Sequence, residues 1–434
     1  MESNQAKSVF GVLLKGGALK LFYMAFSFLT GLMIAALSGT TLFGTISLLI
    51  ANAAILQIIT GLGTDSSIVW HGSAGGFTRG KLFSFTLLTA LLQVGLFVGI
   101  SIVVFSITGN LLLSWQPGFD FFWFELLYFA SLVITEKYVS MMYGQHRAVP
   151  CNKVLLLSGF AVFMLVLFFY GGVIVDKAGM LKVFCLVSCI PAIALVVYYH
   201  FSSKEGLFAK FSGAEMSSFI QFSFIVFITN LIQFIAYRAD YWLIDYFRNT
   251  EQVGVYSQAT RFAQLLWVIP NILAGLLAPL IATHSFSKTK LLTIARVLSY
   301  VNLFLLLVIA AVSWFFYKYI LGESFFAGYK SLFLMMPGYY FFCLNLLFAA
   351  WFSARRQLWI NLAGSSICLS LILLADYLLI PSMGINGAAL GNTIAYSIAG
   401  LFHLFIFMRS TQTSFADFFR FDKEDWRRIL KLQS

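Results

Sequence analysis

Charge is the property that this sequence has least of. Only 10% of its 434 residues are Asp, Glu, Lys or Arg and 60% are hydrophobic, whereas a soluble chain carries about 25% charged residues. The mean hydropathy is +0.89. This composition excludes a soluble globular protein and predicts a polytopic membrane protein. The net charge of +11 is spread over many short loops, which indicates the positive-inside bias of membrane proteins rather than nucleic-acid binding.

Cysteines and recognisable catalytic motifs are also scarce. The five cysteines lie mostly inside apolar segments and lack the paired spacing of a zinc site, so we interpret them as small buried residues. A near match to a phosphate-binding loop begins at Gly75, but Leu82 stands where a Ser or Thr must hold magnesium. The sequence has no long loop of the kind that glycosyltransferases and polymerases usually need. We therefore predict that the protein is not an enzyme and binds no metal or cofactor.

Twelve apolar segments, separated by short polar or Gly/Pro-bearing breaks, are each long enough to cross a bilayer, which takes about 20 residues. Helices are expected, because lipid requires every backbone polar group to be satisfied internally. The predicted spans are Phe10–Leu37, Leu42–Leu62, Leu82–Ile107, Phe119–Met141, Val154–Val175, Val183–Phe201, Phe219–Phe247, Val253–Ala282, Leu291–Tyr317, Leu332–Ala354, Leu358–Ile380 and Ala388–Met408.

The positions of Lys and Arg predict the orientation of these helices. With the N-terminus in the cytoplasm, cytoplasmic loops and the tail hold 17 of these residues, against 5 on the other side. Both termini are then cytoplasmic and the number of helices is even. The tail mixes aromatic and basic residues, which predicts an amphipathic helix on the anionic inner leaflet. A frayed, solvent-exposed tail is the alternative.

The longest internal loop lies at the midpoint of the chain and predicts two halves of six helices. A short internal repeat supports this division, because Phe43–Ser47 and Val253–Ser257 open the second helix of each half. Parallel repeats of this kind hold a substrate site between them. We predict an all-α polytopic membrane protein with about 12 transmembrane helices in two six-helix bundles around a central cavity. Its predicted parts are an N-terminal bundle (1–201), a cytoplasmic linker (202–217), a C-terminal bundle (218–409) and a cytoplasmic tail (410–434).

Polar residues inside the apolar segments are the strongest functional signal, because a charge at membrane depth costs at least about 2.5 kcal/mol unless it is paired or faces water. The seventh segment carries Arg238 and Asp240, and the eighth carries a polar and aromatic stripe with Arg261 at its edge. The residues that we predict to line a water-filled substrate cavity are Lys20, Glu125, Tyr237, Arg238, Asp240, Tyr241, Arg261, Gln264 and Trp267.

The charged members of this set have two interpretations. In the first, Arg238 and Arg261 bind an anionic group, since the guanidinium fork offers phosphate two parallel hydrogen bonds. Asp240 or Glu125 would then position the arginines or carry a coupling proton. In the second, the charges form structural pairs between helices, and Lys20 is a snorkelling anchor at the membrane surface.

The aromatic members also have two interpretations. Tyr237, Tyr241 and Trp267 lie on polar helix faces, where a ring could stack on a sugar. Packing between helices is the alternative for each ring, because aromatic side chains bury large apolar areas.

Several segments resemble one known family. Segments seven and eight contain Arg238-Ala239-Asp240-Tyr241, Gly254-x-Tyr256-Ser257-x-Ala259, Pro270 and Pro279. The opening pair of helices contains Gly44 and Gly61-Leu62-Gly63, and Gly384-Ile385-Asn386-Gly387-Ala388-Ala389 lies near the end. In the order of its apolar segments and these motifs, most of the chain resembles the polysaccharide-type (O-antigen-type) flippases of the multidrug/oligosaccharidyl-lipid/polysaccharide (MOP) exporter superfamily. One departure is that the first helices carry Lys15 and Lys20, where many relatives carry more arginine.

The resemblance implies a fold of two helical bundles and alternating access through a central cavity. It implies an undecaprenyl-pyrophosphate-linked oligosaccharide as substrate, a bacterial plasma membrane location, and contact with membrane lipid and other polysaccharide-assembly proteins. Some relatives couple transport to an ion gradient, so a proton or sodium ion could serve here. The alternatives are a cation-coupled multidrug exporter of the same superfamily, an envelope polysaccharide polymerase, and a scaffold that transports nothing.

Overall fold

The computed structural model describes residues 2–73, 77–170, 177–202, 209, 212–282, 287–355, 357–412 and 418. Helices account for nearly all of these residues. They are α1 (Glu2–Gly61), α2 (Thr64–Ser73), α3 (Arg79–Thr108), α4 (Phe122–Gly144), α5 (Ala148–Tyr170), α6 (Lys177–Val187), α7 (Cys189–Ser202), α8 (Gly213–Phe247), α9 (Thr250–Gln264), α10 (Val268–Ala282), α11 (Lys288–Phe316), α12 (Glu323–Ala354), α13 (Leu358–Met383) and α14 (Ile385–Thr411). The prediction of an all-α polytopic fold is confirmed.

The predicted spans reappear with local differences. Within the described residues, nine helical stretches are long and apolar enough to cross a membrane. One of them is α1, which contains the first two predicted spans and is interrupted at Gly39, where φ is +72°. The remaining predicted spans correspond to α4 and to the α9–α10 pair. Helices α9 and α10 are separated by a 3-10 turn at Leu265–Trp267, so neither of them reaches spanning length alone.

Contacts divide the chain into two compact units, an N-terminal unit of residues 1–235 and a C-terminal unit of residues 236–434. The division lies within α8, whose first part therefore packs with the N-terminal unit. Half of the predicted linker, residues 203–208, 210 and 211, lies outside the described residues, as do residues 74–76 in the near match to a phosphate-binding loop. The predicted amphipathic tail also lies outside them, apart from residues 410–412 and Phe418.

The N-terminal unit is built around α4. Close packing of α2 on α4 depends on glycine, because a Cβ atom at Gly72 would lie 2.9 Å from the Cα atom of Gly144. Ile68, Phe85 and Met141 form part of its buried core, and Phe219 from the start of α8 completes that core. A side-chain pair between Lys81 and Glu215, 2.5 Å apart, fixes the same end of α8 to α3.

The C-terminal unit is centred on α12 and α14. The two helices approach closely at Gly338, where an added Cβ atom would lie 2.5 Å from the Cα atom of Thr393. Leu344, Phe348, Trp351 and Phe407 belong to the buried core around them. The outer faces of the spans remain apolar. For example, Leu91 on α3 and Phe304 on α11 are 64% and 65% exposed, as expected for surfaces in contact with lipid.

Candidate functional site

One buried carboxylate joins three helices of the C-terminal unit. Asp240 on α8 is 2% exposed. Its Oδ2 atom accepts hydrogen bonds from the Tyr256 hydroxyl on α9 (2.7 Å) and from Nδ2 of Asn392 on α14 (3.2 Å). Asn392 Nδ2 also donates to the Tyr256 hydroxyl at 2.7 Å, and the Tyr241 N–H donates to Asp240 Oδ1 at 2.9 Å. Buried charges persist when hydrogen bonds satisfy them in this way.

A second buried carboxyl group lies beside this network. Asp376 on α13 is fully buried and close enough to Asp240 to interact with it electrostatically. Gly391, next to Asn392, gives the side chain space, since a Cβ atom there would lie 2.5 Å from Asp376 Oδ1. Neither oxygen of Asp376 has a hydrogen-bond partner among the residues that the structure describes. An unsatisfied buried carboxyl group is costly, so Asp376 is added to the candidate site residues.

Arg238 lies two residues before Asp240 on α8 and interacts with it electrostatically, but the two side chains form no direct ion pair. The side chain is half-buried. Its Nη1 atom donates to the Tyr241 hydroxyl at 3.1 Å, and the guanidinium lies 4.9 Å from the centre of that ring. Within the described part of the chain, no salt bridge within 4.0 Å joins Arg238 to a carboxylate. The structural pairing of Arg238 with Asp240 is therefore not observed as a direct ion pair.

Tyr241 connects the arginine to α9. Its hydroxyl lies 2.7 Å from Oγ1 of Thr260, and the Thr260 hydroxyl donates to the Ser257 carbonyl at 2.9 Å. Because the single hydrogen of the Thr260 hydroxyl is donated to the Ser257 carbonyl, the Tyr241 hydroxyl donates to Thr260. Tyr241 is 4% exposed, so its ring is a support for the arginine rather than a free surface for a sugar.

The other aromatic candidates lie in a cluster of rings in the same unit. Trp267 is stacked on Tyr339 with 4.7 Å between ring centres, and it contacts Tyr237, Phe342 and Tyr396. Only 8% of Trp267 is exposed. These contacts favour the packing interpretation for Trp267, whereas Tyr237 is half-buried at the edge of the cluster.

Arg261 and Gln264, the remaining candidates of this unit, lie on α9 and are half-buried. Gln264 lies beside Tyr339 of the aromatic cluster. Arg261 is one residue from Thr260, which supports Tyr241. The C-terminal unit therefore contains seven of the nine predicted site residues, and it adds Tyr256, Asn392 and Asp376 to them.

The two candidates of the N-terminal unit lie apart from each other. Glu125 is fully buried, and its carboxylate accepts hydrogen bonds from the backbone N–H groups of Leu113 (3.1 Å) and Ser114 (2.7 Å). This geometry makes it an anchor for the loop before α4. Lys20 is exposed and interacts electrostatically with Glu136. Glu136 lies eleven residues from Glu125, or about 16 Å along α4.

An ion pair made by a buried lysine of the N-terminal unit was missed by the sequence analysis. Lys137 on α4 has 1% of its side chain exposed, and its Nζ atom lies 2.9 Å from Oδ1 of Asp65 at the start of α2. The sequence contained the signal for this pair, a charged residue within a predicted membrane span, because Lys137 lies inside the fourth apolar segment. Asp376 carried the same signal in segment eleven. A systematic search for every charge within the predicted spans would have found both.

Comparison with known proteins supports the fold and adds a family match. Residues 183–327, which include α8 and α9, match the family model described as a polysaccharide biosynthesis protein. The lipid II flippase MurJ, solved in an inward closed conformation, superposes with a TM-score of 0.70 at 13% identity, covering 93% of this chain and 88% of that chain. A multidrug resistance MATE family transporter of the MOP superfamily, solved inward-facing, gives a TM-score of 0.66 at 13% identity and covers 93% and 99%.

A third solved structure is a MOP superfamily transporter from Pyrococcus furiosus. It superposes with a TM-score of 0.64 at 13% identity, covering 92% of this chain and 95% of that chain. No curated protein matches the chain. The fold is thus that of the MOP transporters, which confirms the resemblance expected from the sequence.

Proposed function

We propose that this protein is a flippase that moves undecaprenyl-pyrophosphate-linked oligosaccharide repeat units across the bacterial plasma membrane by alternating access, for surface polysaccharide synthesis such as that of O-antigen. The MOP fold and the polysaccharide family match over residues 183–327 support this proposal. In this proposal the glycan crosses the membrane through the protein while its lipid tail stays in the bilayer. No bond is made or broken, so the protein is not an enzyme.

The observation that carries the proposal is Arg238. A half-buried guanidinium within a membrane span, held by a tyrosine hydroxyl and ring rather than by a salt bridge, is ready to receive an anion. Pyrophosphate is the anion of a lipid-linked oligosaccharide, and arginine binds phosphate oxygens through two parallel hydrogen bonds. Arg261 on the neighbouring helix would contribute a second cation.

The buried carboxyl groups of Asp240 and Asp376 are proposed as the coupling site. Asp240 is held by Tyr256 and Asn392, whereas Asp376 has polar atoms in need of a partner. A proton or a sodium ion bound here would change the charge next to the helix that carries Arg238. Occupation of this site would therefore be linked to the affinity of Arg238 for the pyrophosphate group.

A multidrug exporter of the same superfamily is the alternative, since MATE transporters share the fold. A site that binds its ligand through the guanidinium of Arg238 is poorly suited to cationic drugs, because like charges in a low-dielectric environment repel strongly. Export of a cationic dye from proteoliposomes would favour that alternative over the flippase.

The proposal is tested by replacing Arg238 with Gln and measuring surface polysaccharide in cells that lack the chromosomal copy. We expect polysaccharide to fall at least tenfold while the amount of protein in the membrane is unchanged. Arg147→Gln is the matched control, because Arg147 is also half-buried and bound to a hydroxyl, that of Ser202, but lies at the start of α5. Normal polysaccharide in the Arg238 variant would contradict the proposal.

A further inference from the structure

A pocket of about 480 Å³ opens at one end of the C-terminal unit. The corners α8–α9, α11–α12 and α13–α14 surround it. These are alternate connections of an up-and-down bundle, so they share one end of the unit, and the predicted topology places this end outside the cytoplasm. The volume is within the range of small-ligand pockets, about 300–1,000 Å³.

The lining of the pocket is mixed in chemistry, because polar side chains are accompanied by the apolar ones of Val255, Ala327, Met383 and Ile385. Its polar side chains are those of Asn249, Glu251, Gln252, Ser324, Ser382 and Asn386. They provide amide and hydroxyl groups, which both donate and accept hydrogen bonds, and a single carboxylate. The arrangement differs from a phosphate site, in which cationic donors dominate.

The one cation at the pocket is already engaged. Arg248 donates from Nε to the Ile380 carbonyl at 3.2 Å and from Nη2 to the Pro381 carbonyl at 2.6 Å. These are carbonyls at the end of α13, which a cation stabilises. With Arg248 used in this way and Glu251 opposite in sign, the pocket has no excess charge to attract an ion.

The walls of the pocket are held in place while one acceptor remains unsatisfied. Asn249 accepts from the Gln252 backbone N–H at 2.9 Å, and Asn386 Oδ1 accepts from Ser331 at 3.0 Å. Gly384, with φ +58°, allows the chain to pass Gln252, since a Cβ atom there would lie 3.0 Å from Gln252 Oε1. That oxygen is buried and has no hydrogen-bond partner among the described residues. Leaving such a group unpaired costs about 1–3 kcal/mol.

We propose that this pocket binds a neutral sugar residue. A hexose or N-acetylhexosamine has several hydroxyl groups that donate and accept at once, which matches the mixed lining. The Gln252 side chain, whose Oε1 atom has no partner among the described residues, would turn into the pocket and accept a hydrogen bond from one of them. This proposal rests on the proposed function, in which the glycan emerges at this end of the protein. The pocket would then hold a sugar of the repeat unit after it has crossed the membrane and before it leaves.

The test is saturation-transfer difference NMR on the full chain in nanodiscs, with glucose, galactose, N-acetylglucosamine and N-acetylgalactosamine as neutral probes and glucuronic acid as the anionic probe. At least one neutral sugar should receive saturation from the wild type, and its signal should fall at least fivefold in Gln252→Leu. Gln357→Leu makes the same change at the exposed start of α13 and should keep the full signal. Ser324→Phe, at an exposed position on the rim, should abolish the signal by filling the pocket, and it keeps the test valid if Gln252→Leu does not fold.

Two results would overturn the proposal: no saturation of any neutral sugar by the wild type, whether or not glucuronic acid is saturated, or neutral sugars giving equal signals with the wild type and both pocket variants. Binding is measured here without transport, so its failure is separate from a failure of the flippase proposal. If no sugar binds but Arg238→Gln has its expected effect on surface polysaccharide, only the sugar-binding proposal for the pocket is rejected. If a neutral sugar binds but Arg238→Gln leaves surface polysaccharide unchanged, only the proposed role of the arginine is rejected.

Discussion

Asp240 is the residue at which three helices of the C-terminal unit meet. A carboxylate within a membrane span is retained when hydrogen bonds satisfy it, and here Tyr256, Asn392 and a backbone N–H provide them. The neighbouring Arg238 is bound to Tyr241 instead. The carboxylate and the guanidinium therefore have separate hydrogen-bond partners, and we propose that the arginine binds the ligand.

The first residue-scale prediction concerns Tyr256→Phe. The change removes a hydroxyl that donates to Asp240 and accepts from Asn392 while it keeps the buried ring. Hydrogen bonds to charged groups contribute about 1.5–3 kcal/mol, so the melting temperature in detergent should fall by several degrees. Tyr246→Phe, at a position that is 81% exposed, should change it by less than about one degree. Equal melting temperatures for the two variants would contradict the network.

The second residue-scale prediction concerns the substitution Asp376→Asn. Because no hydrogen bond to this carboxyl group is lost within the described structure, the variant should be as stable as the wild type in thermal unfolding. Surface polysaccharide should nevertheless fall at least tenfold, because an amide cannot take up the coupling proton and binds a cation weakly. Asp245→Asn, at the end of α8, is the control and should transport normally. Full transport by the Asp376 variant would exclude this residue from coupling.

At the scale of elements, prolines and glycines explain where the helices depart from regularity. Pro270 cannot donate to the Leu266 carbonyl, and the chain forms a 3-10 turn at Leu265–Trp267. The Cys343 thiol lies 3.4 Å from that carbonyl and donates to it instead. The length and apolarity of the segment predicted one span. Periodicity alone could not show that this span is broken, or that a side chain from α12 donates to the carbonyl left without its helical hydrogen bond.

An element-scale prediction follows from the contact of α12 with α14. Gly338→Ala would place a methyl group 2.5 Å from the Cα atom of Thr393, and overpacking of a dense contact costs about 1–3 kcal/mol. The melting temperature of the detergent-solubilised protein should fall. Gly275→Ala, on α10, meets nothing within 4 Å and should be neutral or slightly stabilising. Similar behaviour of the two variants would show that the helices can separate at little cost.

At the scale of the whole molecule, composition and segment length predicted the fold class and most helix positions correctly, because lipid permits few alternatives. The site was predicted less completely. Arg238 and Asp240 were found since they interrupt one apolar segment, but Asn392 and Tyr256 are ordinary polar residues until folding brings them to Asp240. Glu125 looked equivalent to Asp240 in sequence, yet it binds backbone N–H groups of a nearby loop, which spacing could not reveal.

The predicted topology can be checked with single cysteines in the C-terminal unit. The five native cysteines are buried or half-buried, so they should give little background. Glu323→Cys and Lys290→Cys are both at exposed positions. Lys290 lies at the start of α11, and Glu323 lies at the start of α12, just beyond the other end of α11. A membrane-impermeant maleimide should label Glu323→Cys in intact cells and Lys290→Cys only after permeabilisation. The reverse pattern would place the termini outside the cytoplasm.

The central claim is that this protein flips a lipid-linked glycan and that Arg238 takes part. The most direct measurement is reconstitution of the full chain into liposomes that contain a fluorescently labelled undecaprenyl-pyrophosphate oligosaccharide, with a membrane-impermeant quencher added outside. The wild type should make the protected inner-leaflet fraction accessible, and Arg238→Gln should do so at least tenfold more slowly. Accessibility no faster than in protein-free liposomes, or equal rates for the wild type and the variant, would contradict the claim.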